Sequence, residues 1–448
     1  MAAELLLTLA AGLTALIGRI VIGPCGGWIA GLSLGFAAGA GVLSLQVFLY
    51  KLLHLPANAA TILLPWLPAA YLRLRAGPRL TWPTWPKRPD WVEAAGLVAM
   101  LAAPALWFPY ERTMPLTTRA WDAWAIWLFK AKAFYLDAGL DAFLERTGEL
   151  TAQPSYPLLV PLYGTFLYTL TGGAADHLAK LASPLFFFAV LGGFYTLARR
   201  FASRPAALVF TAMLANLHMV NIAAFELAGY ADTALSVYML LGGGFLYAWL
   251  QERQPADLAL ASLFSALAAW TKNEGLFFLA LVAAILLARR ARWSAWVWPA
   301  LAVLPWILVR RVYDVPGADL WTGRLNWANL LPGLASFRRA FDLGRYNLAF
   351  WSLAAAAVLY RRAGLDHRWL LLPALVAWQL AGLLGAYLGG RNEIGWWIAT
   401  SLDRVLAQVA PLALLASAVA AGAWLARLTP QETSRNLKTK RTGAARSA

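Results

Sequence analysis

The sequence predicts an all-α polytopic membrane protein, and three observations carry that reading. Sixty per cent of the 448 residues are hydrophobic and only 13% are charged, where soluble domains carry about 25%. Apolar runs of roughly 20 residues, the length that crosses a bilayer, recur along most of the chain. The short loops between many of them are basic, which is the pattern of cytoplasmic connections. A net charge of +16 then fits basic loops beside anionic lipid, and nucleic acid is not an expected partner. The single cysteine, Cys25, rules out an intramolecular disulfide. His54, His177, His218 and His367 stand too far apart for metal-ligand spacing.

About thirteen spans are expected in a bundle with a multi-pass cell-membrane location. Residues 5–22 form the first, retained because no small-residue cleavage site follows it. Spans at 28–50 and 57–74, with a cytoplasmic loop after them, complete an N-terminal unit, 1–90. The next unit, 91–310, opens with a span at 92–110 and a long outer loop, 111–177. Spans at 178–198, 205–225, 231–250, 257–271, 275–290 and 294–311 follow. The pair at 257–271 and 275–290 is short and flanks "TKNEG" (Thr271 to Gly275), a polar break. The third unit, 311–427, holds spans at 346–361, 369–388 and 404–427 with outer loops between them. The basic tail 428–448 is polar and expected to be disordered. The run "YPLLVPLYGTFLYTLTGG" (Tyr156 to Gly173) is short and begins with two prolines, so it is read as a helix lying at the membrane interface. Leaving it out of the count places "ARRFASR", "QERQ", "ARRARW" and "YRRAGLDHR" on the cytoplasmic side.

The outer side then keeps more cations than that rule expects, Lys130, Lys272, Arg391 and Arg404 among them. Snorkelling at the interface explains some of them. The rest point to an anionic ligand, and phosphate is the natural one for ammonium and guanidinium groups. Carboxylates stand on the same side. Asp122 opens the tryptophan-rich stretch "TRAWDAWAIWLFKAKAFYLDAG", Glu226 and Asp232 lie in "FELAGYAD", Glu274 in "TKNEG", and Asp403 beside Arg404 in "TSLDRVLAQVAP". Ionisable groups at membrane depth are costly, which marks them as functional candidates. Bland readings stand beside each. Asp122 suits the first turn of an interfacial helix, Asp232 suits a helix N-cap, and Glu274 and Asp403 suit simple pairing with Lys272 and Arg404. Trp121, Trp124 and Trp127 read first as interfacial anchors, although such rings also stack on sugars.

These residue types fit one reaction. A sugar joined to a lipid through phosphate has a leaving group that departs as an anion and needs cations, not an acid. The acceptor hydroxyl needs a base. One carboxylate facing the acceptor and several cations facing the phosphate are the minimum.

At these residues the chain resembles the integral-membrane GT-C glycosyltransferases, in particular the branch of protein O-mannosyltransferases and the lipid A aminoarabinose transferase. The landmarks, in order, are "RAWD" in the first large outer loop, "YPLL", the basic turn "ARRFASRPAAL", "YADTAL" and "WTKNEGL". The resemblance implies a GT-C-like bundle and transfer from a polyprenyl-phosphate sugar to a lipid, glycan or protein acceptor on the outer, extracytoplasmic face. It implies Asp122 and Asp232 as the catalytic carboxylates and Lys272 as a contact to the donor phosphate, to which the reading of the outer cations adds Lys130, Arg391 and Arg404 as expected contacts. Glu226 and Glu274 are further acceptor or metal candidates, and a divalent metal is left open. The chain departs from the family pattern in three extra N-terminal spans, a single aspartate in "WDAW" where the family has a tandem acidic pair, and the absence of a histidine before "PLL". A flippase for lipid-linked glycans and a glycan polymerase or ligase are the rival functions. Internal repeats, the usual mark of a transporter, are absent.

Overall fold

The computed structural model describes residues 2–23, 26–76, 91, 94–96, 98–102, 105–106, 120–137, 139–145, 153–317 and 324–428. About half of the expected span at 92–110, the loop 77–90, Arg112, Arg119, Arg146 and the tail from residue 429 lie outside the described residues. The described chain is helical, with no β-strand among its residues. Its longer helices are α1 (Ala2–Ile22), α2 (Gly27–Leu52), α3 (Leu128–Leu136), α4 (Leu159–Thr171), α5 (Ala182–Phe201), α6 (Arg204–Ala215) and α7 (Asp232–Glu252). They continue with α8 (Pro255–Thr271), α9 (Asn273–Ala288), α10 (Val297–Val312), α11 (Ala349–Ala363), α12 (Leu371–Gly389) and α13 (Asp403–Leu428).

Seven helical stretches among the described residues are long and apolar enough to cross a membrane, and an eighth joins them if one bent pair counts as a span. The expected thirteen is therefore not confirmed among the described residues, for local reasons. The run at 57–74 breaks into Ala59–Leu63 and Trp66–Ala76, because Pro65 interrupts the helical hydrogen-bond ladder. The run at 205–225 bends by 65° after α6, where the Asn216 amide donates back to Ala212 O at 2.8 Å. Helices α8 and α9 have only 17 and 16 residues. Helix α11 is shorter still and ends on Arg361 and Arg362.

Packing follows from side-chain size and from which helices are apolar on every face. Helices α1 and α2 form a hairpin in which backbones touch. A Cβ built on Gly39 would stand 1.8 Å from the Thr14 carbonyl oxygen, so only glycine fits there. Gly35 and Gly39 make a small-xxx-small stripe of the kind that brings membrane helices together. Helix α7 is buried along its apolar length and lies between α5, α8 and α13. Residues 159–168 of helix α4 are all buried, against α2 and α3, and the helix is not among those long enough to cross a membrane. It is mostly apolar, with Thr165 and Thr169 together on one face, and such a helix is stable when its apolar faces are covered.

Polar contacts sort the loops into two ends. At one end Arg200 binds Asp257 at 2.7 Å and Glu252 at 2.7 Å, and Gln251 binds Asp366. At the other, His54 meets Asp141 at 2.8 Å, Asn326 N–H donates to Leu388 O, and Arg345 pairs with Asp403. Each group joins loops that the charge pattern had placed together.

Candidate functional site

Five charged residues that the sequence singled out meet in one chain of ion pairs, Asp122–Arg404–Asp232–Lys272–Glu274. Arg404, one residue into α13, binds Asp122 Oδ2 through Nη1 at 2.8 Å. Its Nη2 and Nε bind Asp232 Oδ2 at 2.8 and 3.0 Å. The second Asp232 oxygen accepts from Lys272 Nζ at 3.0 Å and from the Gln408 amide. Lys272 Nζ also meets Glu274 Oε1 at 2.7 Å.

Irregular backbone aims these side chains. Lys272 is one extended residue, φ −160° and ψ 160°, between the end of α8 and the start of α9. Three single π-helical turns stand next to the other segments. Ala123–Trp127 follows Asp122, Ile222–Glu226 precedes the turn that ends at Asp232, and Ile398–Leu402 precedes Asp403 and Arg404. Such turns are rare and concentrate at functional sites. Gly229, at φ +95°, makes the turn before Asp232, and a Cβ there would fall 2.9 Å from Ala123 Cβ. The turn thus rests on the helix start that carries Asp122. Its next residue, Tyr230, accepts the Asp122 N–H on its hydroxyl at 3.2 Å. The Tyr230 ring lies 4.6 Å from the Arg404 guanidinium, a cation–π contact that fixes the fork. Gln408 reaches Asp232 because it is four residues after Arg404, on the same face of α13.

Exposure rises from the middle of the chain to its ends. The Asp232 side chain is 2% exposed, Lys272 5%, Asp122 and Arg404 19%, and Glu274 30%. Asp232 accepts from Lys272, Arg404 and Gln408, which makes it the most buried and most fully paired carboxylate of the chain. Asp122 and Glu274 each keep one carboxylate oxygen without a hydrogen bond among the described residues. Asp232 does not cap a helix with its side chain, since Ala231 is the N-cap of α7, whereas Asp122 does stand in the first turn of its helix. The cations are partly spent. Arg404 gives two of its five N–H bonds to Asp232 and is ion-paired with Asp122, and Lys272 gives one of three to Asp232 and is ion-paired with Glu274, leaving donors for a further anion.

Lys130 and Tyr156 stand beside the chain. Lys130 is buried, donates to Gln153 O at 2.7 Å, and lies 6.0 Å from the Tyr156 ring. Burial pushes its ammonium down to about 7. The Tyr156 ring stacks on Trp127 at 5.4 Å. Burial, and after it the Glu274 carboxylate, push the Tyr156 phenol up to about 12. Trp127 is fully buried and packs there rather than anchoring in lipid, whereas Trp121 and Trp124 are exposed.

Other expected residues stand apart. Asp403 pairs with Arg345, with Arg339 at 3.6 Å, and not with Arg404, because adjacent residues on a helix point to different faces. Arg391 follows α12 and Glu226 ends a π turn, and the ion-pair chain runs through neither. Tyr156, Tyr230 and Gln408 were missed as site residues. The i, i+4 spacing of Arg404 and Gln408 and the nearness of Tyr230 to Asp232 are the signals that pointed to two of them. Among the described residues no group of three or more His, Cys, Asp or Glu side chains has the geometry to hold a metal ion. Comparison with protein-family models, curated proteins and solved structures finds no match.

Proposed function

We propose that the protein is a membrane glycosyltransferase of GT-C type, moving a sugar from a polyprenyl-phosphate donor to a lipid, glycan or protein hydroxyl on the outer face of the membrane. The observation that carries this is the ion-pair chain, in which a partly exposed carboxylate with a free oxygen is held directly against a guanidinium with spare donors.

In this reading Asp122 is the base. It takes the acceptor's hydroxyl proton as that oxygen bonds to the anomeric carbon. The bond from that carbon to the phosphate oxygen breaks, and polyprenyl phosphate leaves with the electron pair. The unspent N–H bonds of Arg404 and Lys272 receive its charge. Three carboxylates against two cations leave the empty site one charge negative, so proton capture by Asp122 offsets the phosphate's charge as it develops. Asp232 keeps both cations in place, Tyr230 orients Arg404, and Glu274 holds Lys272 from its exposed side.

The test is a transfer assay on purified protein with a polyprenyl-phosphate sugar labelled in the sugar. Label leaving the lipid, and remaining on it with Asp122→Asn, supports the reading. Label carried across a vesicle membrane still attached to intact lipid would establish a flippase in its place.

A further inference from the structure

A second polar site lies at the same end of the bundle, across α3 from the ion-pair chain. Lys51 stands in the last turn of α2 with its side chain buried, 5% exposed by residue. It lines a cavity of about 420 Å³ together with Asn58, Tyr135, Thr165 and Thr169. That volume lies within the range of small-molecule sites, roughly 300–1,000 Å³.

The hydrogen-bond account of the lining is unbalanced toward donors. The Lys51 ammonium makes one bond, to the backbone carbonyl of Asp137, which leaves two of its N–H bonds unspent. Asn58 uses its side-chain oxygen to cap the Ala59–Leu63 helix, so its NH₂ remains. The Tyr135 hydroxyl makes no hydrogen bond among the described residues, while its ring packs edge-on against Tyr168 at 5.8 Å. Thr165 and Thr169 stand four apart on one face of α4. Both give their hydroxyl protons to carbonyls of the protein, Thr165 to Ala131 and Pro161 and Thr169 to Thr165. They therefore offer the cavity acceptors. Asp137 is the nearby counter-charge, but it meets Lys51 through its backbone, not through its carboxylate.

A buried ammonium, an amide NH₂ and a phenol donate, and two hydroxyl oxygens accept. That set fits an oxyanion carrying hydroxyl groups. A lysine within an apolar helix is costly and is kept where it has a partner to bind. We propose that the Lys51 cavity binds a phosphate ester bearing hydroxyls, either the headgroup of a membrane lipid or a soluble polyol phosphate. The site is separate from Asp122 and does not rest on the transfer reading.

The experiment uses the full chain in two arms. Nanodiscs of phosphatidylcholine with added phosphatidylglycerol, read by native mass spectrometry, test the lipid source. Glycerol phosphate titrated into detergent-solubilised protein tests the soluble source. A retained phosphate ester in either arm is expected, weakened about tenfold or more by Lys51→Met, since a charge-assisted hydrogen bond is lost. Tyr135→Phe removes one hydroxyl and should weaken it by a few-fold. Thr169→Phe fills the cavity without touching Lys51 and should abolish binding, which covers the case in which Lys51→Met fails to fold. Binding in neither arm, or binding that survives both Thr169→Phe and Tyr135→Phe, would overturn the proposal and leave Lys51 as a tie between α2 and the end of α3.

Discussion

Asp232 and Asp122 share one guanidinium, yet their removal should fail in different ways. Asp232 is 2% exposed and lies between the buried Lys272 and the partly exposed Arg404. Asp232→Asn keeps the size but puts one NH₂ donor where an acceptor stood. It faces either Lys272 or Arg404 with a donor and leaves both cations short of charge. Breaking a buried ion pair from one side costs about 3–5 kcal/mol. At roughly 2 °C per kcal/mol for a large chain, the thermal midpoint should fall by about 6–10 °C. Asp122 is 19% exposed and makes one contact to Arg404. Asp122→Asn should cost about 1 kcal/mol or less, within a few degrees of wild type. Its effect on transfer should be far larger, about a hundred- to ten-thousand-fold, if it is the base. The assay is thermal unfolding in detergent beside donor turnover for each variant. Equal midpoints for the two variants would refute the argument that the centre of the chain carries the stability. A stable Asp122→Asn with more than about a tenth of wild-type turnover would refute its role as base.

Three further outcomes follow from single contacts. Lys272→Ala removes a cation aimed at the donor and should reduce donor use by about tenfold or more in steady-state kinetics. Gly229→Ala forces a side chain into a left-handed backbone, φ +95°, against Ala123, and should cost about 1–3 kcal/mol, read as a lower unfolding midpoint. Burial lowers the Lys130 ammonium to about 7 from an ordinary 10.5. The unfolded chain holds that proton up to the ordinary value, so the folded state is penalised most below pH 7 and the penalty fades as pH rises above it. Wild type should therefore gain thermal stability relative to Lys130→Met between pH 7 and 9, and a gap constant with pH would show that Lys130 is not held down by burial.

Much of this was legible where one residue type has few physical uses. Charge in an apolar chain is costly, so Asp122, Asp232, Lys272, Glu274 and Arg404 were conspicuous, and the structure joins all five. Loop charges sorted the two ends of the bundle for the same reason. Less legible was which acid pairs with which base. Arg404 passes over its neighbour Asp403 because helix geometry sends them to different faces. Nor was it legible that Asp232 accepts from four donors, since saturation is a property of packing, not of sequence spacing. The span count is not confirmed among the described residues, because hydropathy reads apolar length, whereas Pro65 and Asn216 interrupt helices within apolar runs. That helix α4 is buried against α2 and α3 was not legible either, since a short apolar run does not say what covers it.

The most direct test of the account is a structure with a non-transferable polyprenyl-phosphonate sugar bound. The account predicts the phosphonate against the unspent N–H bonds of Arg404 and Lys272, with the anomeric carbon turned toward Asp122. A phosphonate seated away from both cations, with Asp122 still closed on Arg404 and no sugar beside it, would contradict it.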